Sequence, residues 1–219
     1  MAQLIAVIPA RKNSRRFPGK NRATYNGKSF LELALASAVQ SGVISEVFLS
    51  SDDEMVIDQA KELGITVPFK RASELSQDDT STWSVVIDLV QQTGYVGDLC
   101  LLQLTSPKRL PIDVQGLFEV YSTSKSEVAL TVRESSSTKT KVQYWLCPCS
   151  PEISHVRHCR SSVRVVPNGS AYMLRTESLV ADPFSSLLNV GAHLMPADRS
   201  LDIDYEYQLV QAFDSNTDR

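Results

Sequence analysis

The chain reads as one α/β layered domain built around a mostly parallel sheet. Three observations predict it. Short apolar runs alternate with helical periods, several of those runs have no polar alternation, and the helical stretches open and close on recognisable caps. Continuous apolar runs suit strands buried on both faces. In such sheets ligands sit beyond the carboxyl ends of the strands, so the loops there are where chemistry is expected.

Residues 3–8 form the first strand. Their Leu4-Ile5-Ala6-Val7-Ile8 run is too short for a signal peptide and lacks both a basic lead and a cleavage site. Ser29 and Glu32 have capping-box spacing, opening a helix to about Ser41 that Gly42 stops. Residues 47–49 are the next strand, and Asp52 is expected to cap a helix ending near Leu63, before Gly64. Residues 65–69 read as a strand, 80–92 as a helix and 99–102 as a buried strand. A helix follows Pro111, which suits a first turn, and 128–132 is a further strand. Residues 134–166, rich in Ser, Lys, Arg and Cys, break the pattern and read as an insertion. Residues 171–174 resume strand character. Leu201-Asp202-Ile203-Asp204, a helix over about 205–213 and a polar tail over 214–219 close the chain, so one domain spans 1–213.

Composition bounds the function. The 219 residues are 42% hydrophobic and 21% charged, ordinary for a soluble domain. A net charge of −3 and a pI near 5.7 argue against a general nucleic-acid binder, so any anion site is local. No apolar run has the length of a membrane span. Nothing directs export, so a cytoplasmic location and reduced thiols are expected for Cys100, Cys147, Cys149 and Cys159. Cys147-Pro148-Cys149, His155, His158 and Cys159 are zinc-ligand types. Their spacing is poor, because His158 and Cys159 are adjacent and no Cys-x-x-Cys is present, so structural cysteines are the preferred reading.

The first strand runs into a loop carrying Arg11, Lys12, Arg15, Arg16, Lys20 and Arg22, six cations in an otherwise acidic chain. Arginine grips phosphate oxygens with two donors and lysine adds a point charge. Pro18-Gly19 allows a tight turn that aims backbone N–H groups at an anion. A solvated basic stretch has the same composition; position after a buried strand favours a nucleotide. Gly27-Lys28-Ser29 imitates the end of a phosphate-binding P-loop, but Arg22 stands where that motif needs its first glycine, so Ser29 is a helix cap.

Five ordered segments carry a family resemblance. Ile8-Pro9-Ala10-Arg11 with Ser14-Arg15 and Pro18-Gly19-Lys20-Asn21 resembles the opening signature of cytidylyltransferases that make CMP-activated acidic sugars, most of all the acylneuraminate branch. Arg71-Ala72-Ser73-Glu74-Leu75 with Asp78 and Thr80-Ser81, Gln103-Leu104-Thr105-Ser106-Pro107, Asn168-Gly169-Ser170-Ala171-Tyr172, and Asp202-Ile203-Asp204 are similar to its later motifs, in order over about residues 3–210. The chain departs at Asn13, Arg16, Leu104, Lys108 and Ser170.

The resemblance implies a Rossmann-like, three-layer nucleotidyltransferase domain whose 134–166 insertion builds a homodimer. It implies CMP transfer from CTP to a nine-carbon acidic sugar, N-acylneuraminate-like, with pseudaminic or legionaminic acid as the alternative. The eight-carbon acid of lipopolysaccharide core and a non-catalytic nucleotide-binding module rank lower. Arg11 and Lys20 would hold the triphosphate, Ser14 and Arg15 would line the same loop, Asn21 would face cytosine, and Arg71 and Ser81 would lie near the cytidine. Read alone, Arg71 is better explained as a surface charge and Ser81 as a helix cap. Asp202 and Asp204, spaced to point the same way on extended backbone, would share Mg²⁺ or another divalent cation such as Mn²⁺; read without the other motifs, Asp204 is better explained as the cap of the last helix, and the two roles are compatible. Gln103, Asn168 and Tyr172 would contact the sugar. Phe184 would wall its acyl group or sit in the core. Arg157, Arg160 and Arg164 compete for the sugar carboxylate, Arg160 being preferred. No residue stands out as general base.

Overall fold

The computed structural model describes residues 3–12, 14–124, 126–136, 144–154, 159–179 and 190–214. Its strands are β1 (Leu4–Ala10), the two-residue β2 (Thr24–Tyr25) and β3 (Lys28–Ser29), β4 (Glu46–Ser51), β5 (Asp98–Leu102), β6 (Val128–Glu134), β7 (Tyr144–Leu146), β8 (Glu152–Ser154), β9 (Val163–Arg175) and β10 (Val190–Leu194). Its α-helices are α1 (Phe30–Val39), α2 (Glu54–Glu62), α3 (Thr82–Thr93), α4 (Pro111–Thr123) and α5 (Glu206–Asp214).

The alternation of β1 explains the layering, because successive side chains leave a strand on opposite faces. Leu4, Ala6 and Ile8 pack with buried residues of α1, α2 and α4, whereas Ile5 and Val7 pack with Val86 and Leu89 of α3. The domain is therefore three-layered. No helix among the described residues is long and apolar enough to cross a membrane.

The sheet is mixed, which corrects the expectation of a mostly parallel one. β4, β1 and β5 pair in parallel, as do β6 and β10, but β9 runs antiparallel between β5 and β6. β9 also pairs with β7, β7 with β8 and β8 with β10, so β9, β6, β10, β8 and β7 close on themselves. β9 is shared by the open sheet and this small ring. The span expected as an insertion begins inside β6 and ends inside β9, and its described residues in β6, β7, β8 and β9 belong to the ring. A third, smaller core of Leu130, Val132, Leu146, Ile153, Val165 and Ala192 fills it.

Local signals mostly act as their chemistry dictates. Ser29 and Glu32 make the reciprocal box at α1, with Glu32 N–H donating to Ser29 Oγ over 3.2 Å and Ser29 N–H to Glu32 Oε2 over 2.7 Å. The P-loop look-alike is a hairpin between β2 and β3, where Asn26 and Gly27 have φ of 51° and 76°, the positive pair of a tight turn. Two expectations change. Asp53, not Asp52, caps α2. Residues 65–69 give no strand; a lone bridge joins Thr66 to Phe48 at the rim of β4. Cys147 and Cys149 are joined, against the expectation of reduced thiols, while Cys100 and Cys159 are outside the disulfide.

Candidate functional site

A cavity of about 360 Å³ opens where β1, β4 and β5 end and β9 passes alongside. β1 delivers Pro9, Ala10 and Arg11 to it, and the loop beyond returns through Gly19 (φ 76°) into a single 3-10 turn over Lys20–Arg22. Gln103, Leu104 and Thr105 follow β5, and Gly169 and Tyr172 come from β9. The Asp202–Asp204 segment is fastened opposite by Ile203 N–H donating to Thr105 O over 2.8 Å. Motifs far apart in sequence meet here because the strands that precede them end on one edge of the sheet.

One wall is cationic. Arg11 Nη1 lies 2.9 Å from Asp78 Oδ1 and donates to Gln77 O over 3.1 Å. Arg15, largely in solvent, pairs with the same Asp78. Asn21 is buried and its amide donates to Arg11 O over 2.7 Å, which fixes the loop's path. Arg71 is 4% exposed: its Nε donates to Ser76 Oγ over 3.2 Å and its Nη2 to Asp52 Oδ1 over 3.3 Å. Burial lowers its pKa, against the raising pull of Asp52. It is a buried ion-paired group on the cavity lining, not a surface charge.

The opposite wall is acidic. Asp204 Oδ2 lies 2.9 Å from Arg16 Nη1, and its Oδ1 lies 3.5 Å from Lys20 Nζ, which also donates to Ile203 O over 3.3 Å. Burial lowers the Lys20 pKa, against Asp204 and Asp202. Asp202 has a different environment. Its carboxyl is pushed up, chiefly by burial and further by the Asp204 charge, while a Thr105 hydrogen bond and the Lys20 charge act the other way. Its Oδ1 is buried and accepts no hydrogen bond. A buried carboxylate oxygen left without a donor is costly unless something else satisfies it. Gly169 of β9 lies beside it at φ 77°, a backbone conformation that favours glycine, and a Cβ there would stand at ordinary contact distance, 3.5 Å, from Asp202 Oδ2. The hard oxygens of Asp202 and Asp204, one of them unpaired, fit a divalent cation that also takes phosphate oxygens. Asp204 does not cap α5; Gln208 Oε1 accepts from Asp204 N–H and Tyr205 N–H instead.

Of the residues expected to act, Arg11, Ser14, Lys20, Asn21, Arg71, Gln103, Tyr172, Asp202 and Asp204 line the cavity, and Arg15 borders it through Asp78. Tyr172 packs edge-on against Trp83 at 5.5 Å, and burial raises its hydroxyl to about 12. Three others are placed elsewhere. Ser81 caps α3, accepting from Trp83 N–H over 3.2 Å. Arg160 is exposed in the turn before β9, away from the lining residues. Asn168 is buried: its Oδ1 accepts from Thr131 Oγ1 at 2.6 Å and Ser170 N at 3.1 Å, and its Nδ2 donates to Ser200 Oγ at 3.0 Å. It ties β9 to β6 and to the approach of the Asp pair. Arg164 lies over the Trp145 ring at 5.3 Å. Phe184 and Arg157 fall outside the described residues.

Sequence reasoning met Arg16, Asp78 and Arg109 within its motifs but gave none of them a role. Arg109 is fully buried, donates to Ser37 Oγ, Gln103 O and Ser170 O, and is lowered by burial to about 10. It braces the two strands that carry Gln103 and Gly169. Its signal was present, an arginine after Ser106-Pro107, but nothing local announces burial.

Residues 5–142 match the family model described as Cytidylyltransferase. The chain is 34% identical over 134 residues to the CMP-N,N'-diacetyllegionaminic acid synthase of Legionella pneumophila, covering 59% of this chain and 58% of that protein. It is 24% identical over 208 residues to the N-acylneuraminate cytidylyltransferase of Streptococcus agalactiae, covering 91% and 50%. The chain spans about half the length of the curated relatives it matches. The structure of CMP:2-keto-3-deoxy-manno-octonic acid synthetase complexed with CTP superposes with a TM-score of 0.73 over 98% of this chain and 99% of that one, at 19% identity, a likeness of fold.

Proposed function

The chain belongs to the cytidylyltransferase family, and on that premise we propose that it transfers CMP from CTP to a nine-carbon acidic sugar and releases pyrophosphate. One observation carries the reading: a single cavity sets phosphate-gripping cations, Arg11, Lys20 and Arg71, against Asp202 and Asp204, one of whose oxygens is buried and unpaired. Transfers of this kind run on positioning and charge neutralisation. Arg11 and Arg71 bind and orient the nucleotide. Lys20, held between Asp204 and the cavity, balances charge building on the leaving pyrophosphate. Asn21 and Arg109 keep the two loops in place. Asp202 and Asp204 would hold Mg²⁺ or Mn²⁺, which when bound supplies positive charge at the α-phosphate. Gln103 and Tyr172 face the sugar.

The acceptor we assign is an N-acylneuraminate. The name of the Legionella relative makes legionaminic acid the competing acceptor, with pseudaminic acid of the same class, and a dimer through residues 134–166 belongs to the same reading. The test is pyrophosphate release by purified protein with Mg²⁺ and CTP, UTP as control, and N-acetylneuraminic, legionaminic, pseudaminic and eight-carbon acids as acceptors. Release is expected to need CTP, the cation and one nine-carbon acid. Folded protein that binds CTP but releases nothing with any acid would overturn the reading in favour of a nucleotide-binding module.

A further inference from the structure

Three of the four cysteines in the chain converge at the rim of the small ring and are absent from the cavity lining. Cys147 directly follows β7, Cys149 lies two residues on, and Cys159 sits in the turn before β9. Their sulfurs all lie within 4.8 Å of one another, with Cys147 Sγ and Cys159 Sγ 2.9 Å apart. The Cys147–Cys149 bridge accounts for two of the sulfurs, and the third lies against it and against Ser161 and Ser162. A bridge between residues two apart also closes almost no chain, so it restrains the unfolded state little.

We propose that the reduced form of this cluster is a zinc site in which Cys147, Cys149 and Cys159 are the protein ligands. Thiolates on one tetrahedral zinc ion lie about 2.3 Å from the metal and so about 3.8 Å from each other, a spacing these sulfurs reach by small side-chain rotations. The surroundings suit bound thiolates. Cys149 N–H points at Cys147 Sγ over 3.5 Å, and Ser161 Oγ and Ser162 Oγ each lie 3.2 Å from Cys159 Sγ. Donors placed on the sulfurs moderate their charge and fix their direction. The fourth position takes water or a nitrogen ligand. The stoichiometry closes: two equivalents of a thiol reductant convert the Cys147–Cys149 bridge to two thiols and one external disulfide, and three thiols then bind one Zn²⁺ with release of three protons.

The placement gives the ion a task. β7 and β9 pair through Leu146 and Val163, next to Cys147 and a few residues past Cys159. An ion there pins the end of one strand to the start of the other. Among the described residues the ring's core holds six buried apolar side chains, far fewer than the main sheet's, so it gains more from a cross-link than the main sheet would.

The test uses the full chain purified in the presence of a thiol reductant and zinc, then freed of loose metal. About one zinc per chain is expected. Cobalt exchanged for it should show intense thiolate-to-cobalt charge-transfer absorption, which carboxylate ligands in the cavity would not give. Cys159→Ala and Cys149→Ala should each lose the metal and that absorption, while Cys100→Ala, altering a buried thiol elsewhere, keeps both. Chelation should lower the melting temperature of the unaltered chain and leave that of Cys159→Ala unmoved. A folded, reduced chain without stoichiometric zinc overturns the proposal. So does zinc retained by Cys159→Ala, or a Cys147–Cys149 bridge that survives reduction, which would make the pair a plain disulfide.

Discussion

Two aspartates, the buried Asp113 and the part-buried Asp202, sit on opposite sides of the domain's business. Asp113, at the start of α4, is wholly buried and fully served. Arg199 grips it with Nε at 3.0 Å and Nη2 at 2.8 Å, Leu110 N–H donates over 2.9 Å, and His193 Nε2 lies 3.9 Å away. Burial alone would raise its carboxyl, but the nearby His193 side chain, the hydrogen bonds of Arg199 and Leu110 N–H, and the Arg199 charge hold it down to about 2. Asp202 is part-buried on the cavity lining and has no such set of partners: its carboxyl is raised, and its one buried oxygen, Oδ1, has no donor. The two show that burial by itself does not mark a structural carboxylate. The chain completes the shell of the one that locks β10 and its following loop to α4, and leaves open the shell of the one facing the cavity.

The comparison is sharpest if substitutions at the two sites move stability and turnover in opposite directions. The largest effect belongs to the cavity. Lys20→Ala and Asp202→Asn should each lower kcat by about 10²–10³-fold, the loss typical of a group stabilising transition-state charge. In the same protein a thermal melt should show Asp202→Asn unfolding at a higher temperature than the parent at neutral pH, because a raised carboxyl weighs against folding once ionised. A lower melting temperature would mean that Asp202 is structural after all. Next in size, Asp113→Asn should destabilise the fold by about 2 kcal/mol in urea while the folded fraction keeps its kcat.

The pH dependence separates the pair further. The folded-state value of Asp113 lies below its ordinary 3.8, so its contribution is complete above that value and is lost as pH falls towards about 2. Asp202 has the opposite sign: its contribution is lost as pH rises through its raised value. Acid unfolding followed by circular dichroism should therefore lose its steep segment below pH 3.8 in Asp113→Asn and keep it in Asp202→Asn. The smallest effect concerns Ser81, whose hydroxyl caps α3. Ser81→Ala should lower stability by about 1 kcal/mol and leave the KM for CTP unchanged. A raised KM would give that hydroxyl a nucleotide contact instead.

What could be read from the sequence was mostly local. The Ser29–Glu32 box, the turn at Asn26-Gly27 and the strand before Arg11 are written in residues a few positions apart. So was most of the cavity, because its motifs follow strands whose carboxyl ends the fold must place together. Non-local structure was hidden. β9 runs thirteen residues through Pro167, where its register against β6 slips, so a pattern search sees only its apolar end. β7, β8 and β10 are short pieces of a closed ring, and none makes a periodic signal of its own length. Asn168 looks like a ligand in its motif; only the partners brought by Thr131 and Ser200 show that its hydrogen-bonding capacity is spent inside. The choice between Asp52 and Asp53 as the α2 cap turns on Arg71, nearly twenty residues away, which takes Asp52 for itself.

The segment that failed to become a strand has a consequence for how the molecule keeps company. An ordinary open sheet has two rims, each a ladder of unpaired backbone groups on which another chain can crystallise its own strand. Here the strands at one end close into the ring, leaving β4 as the outer rim. There Thr66 accepts from Leu49 N–H over 2.9 Å and donates its own N–H to Val47 O over 3.0 Å, while its hydroxyl fastens to Glu46. A single residue, too short to extend the sheet, occupies the middle of the rim where an incoming strand would need an unbroken row. The fold thus protects itself against templated aggregation with a stopper instead of a further strand.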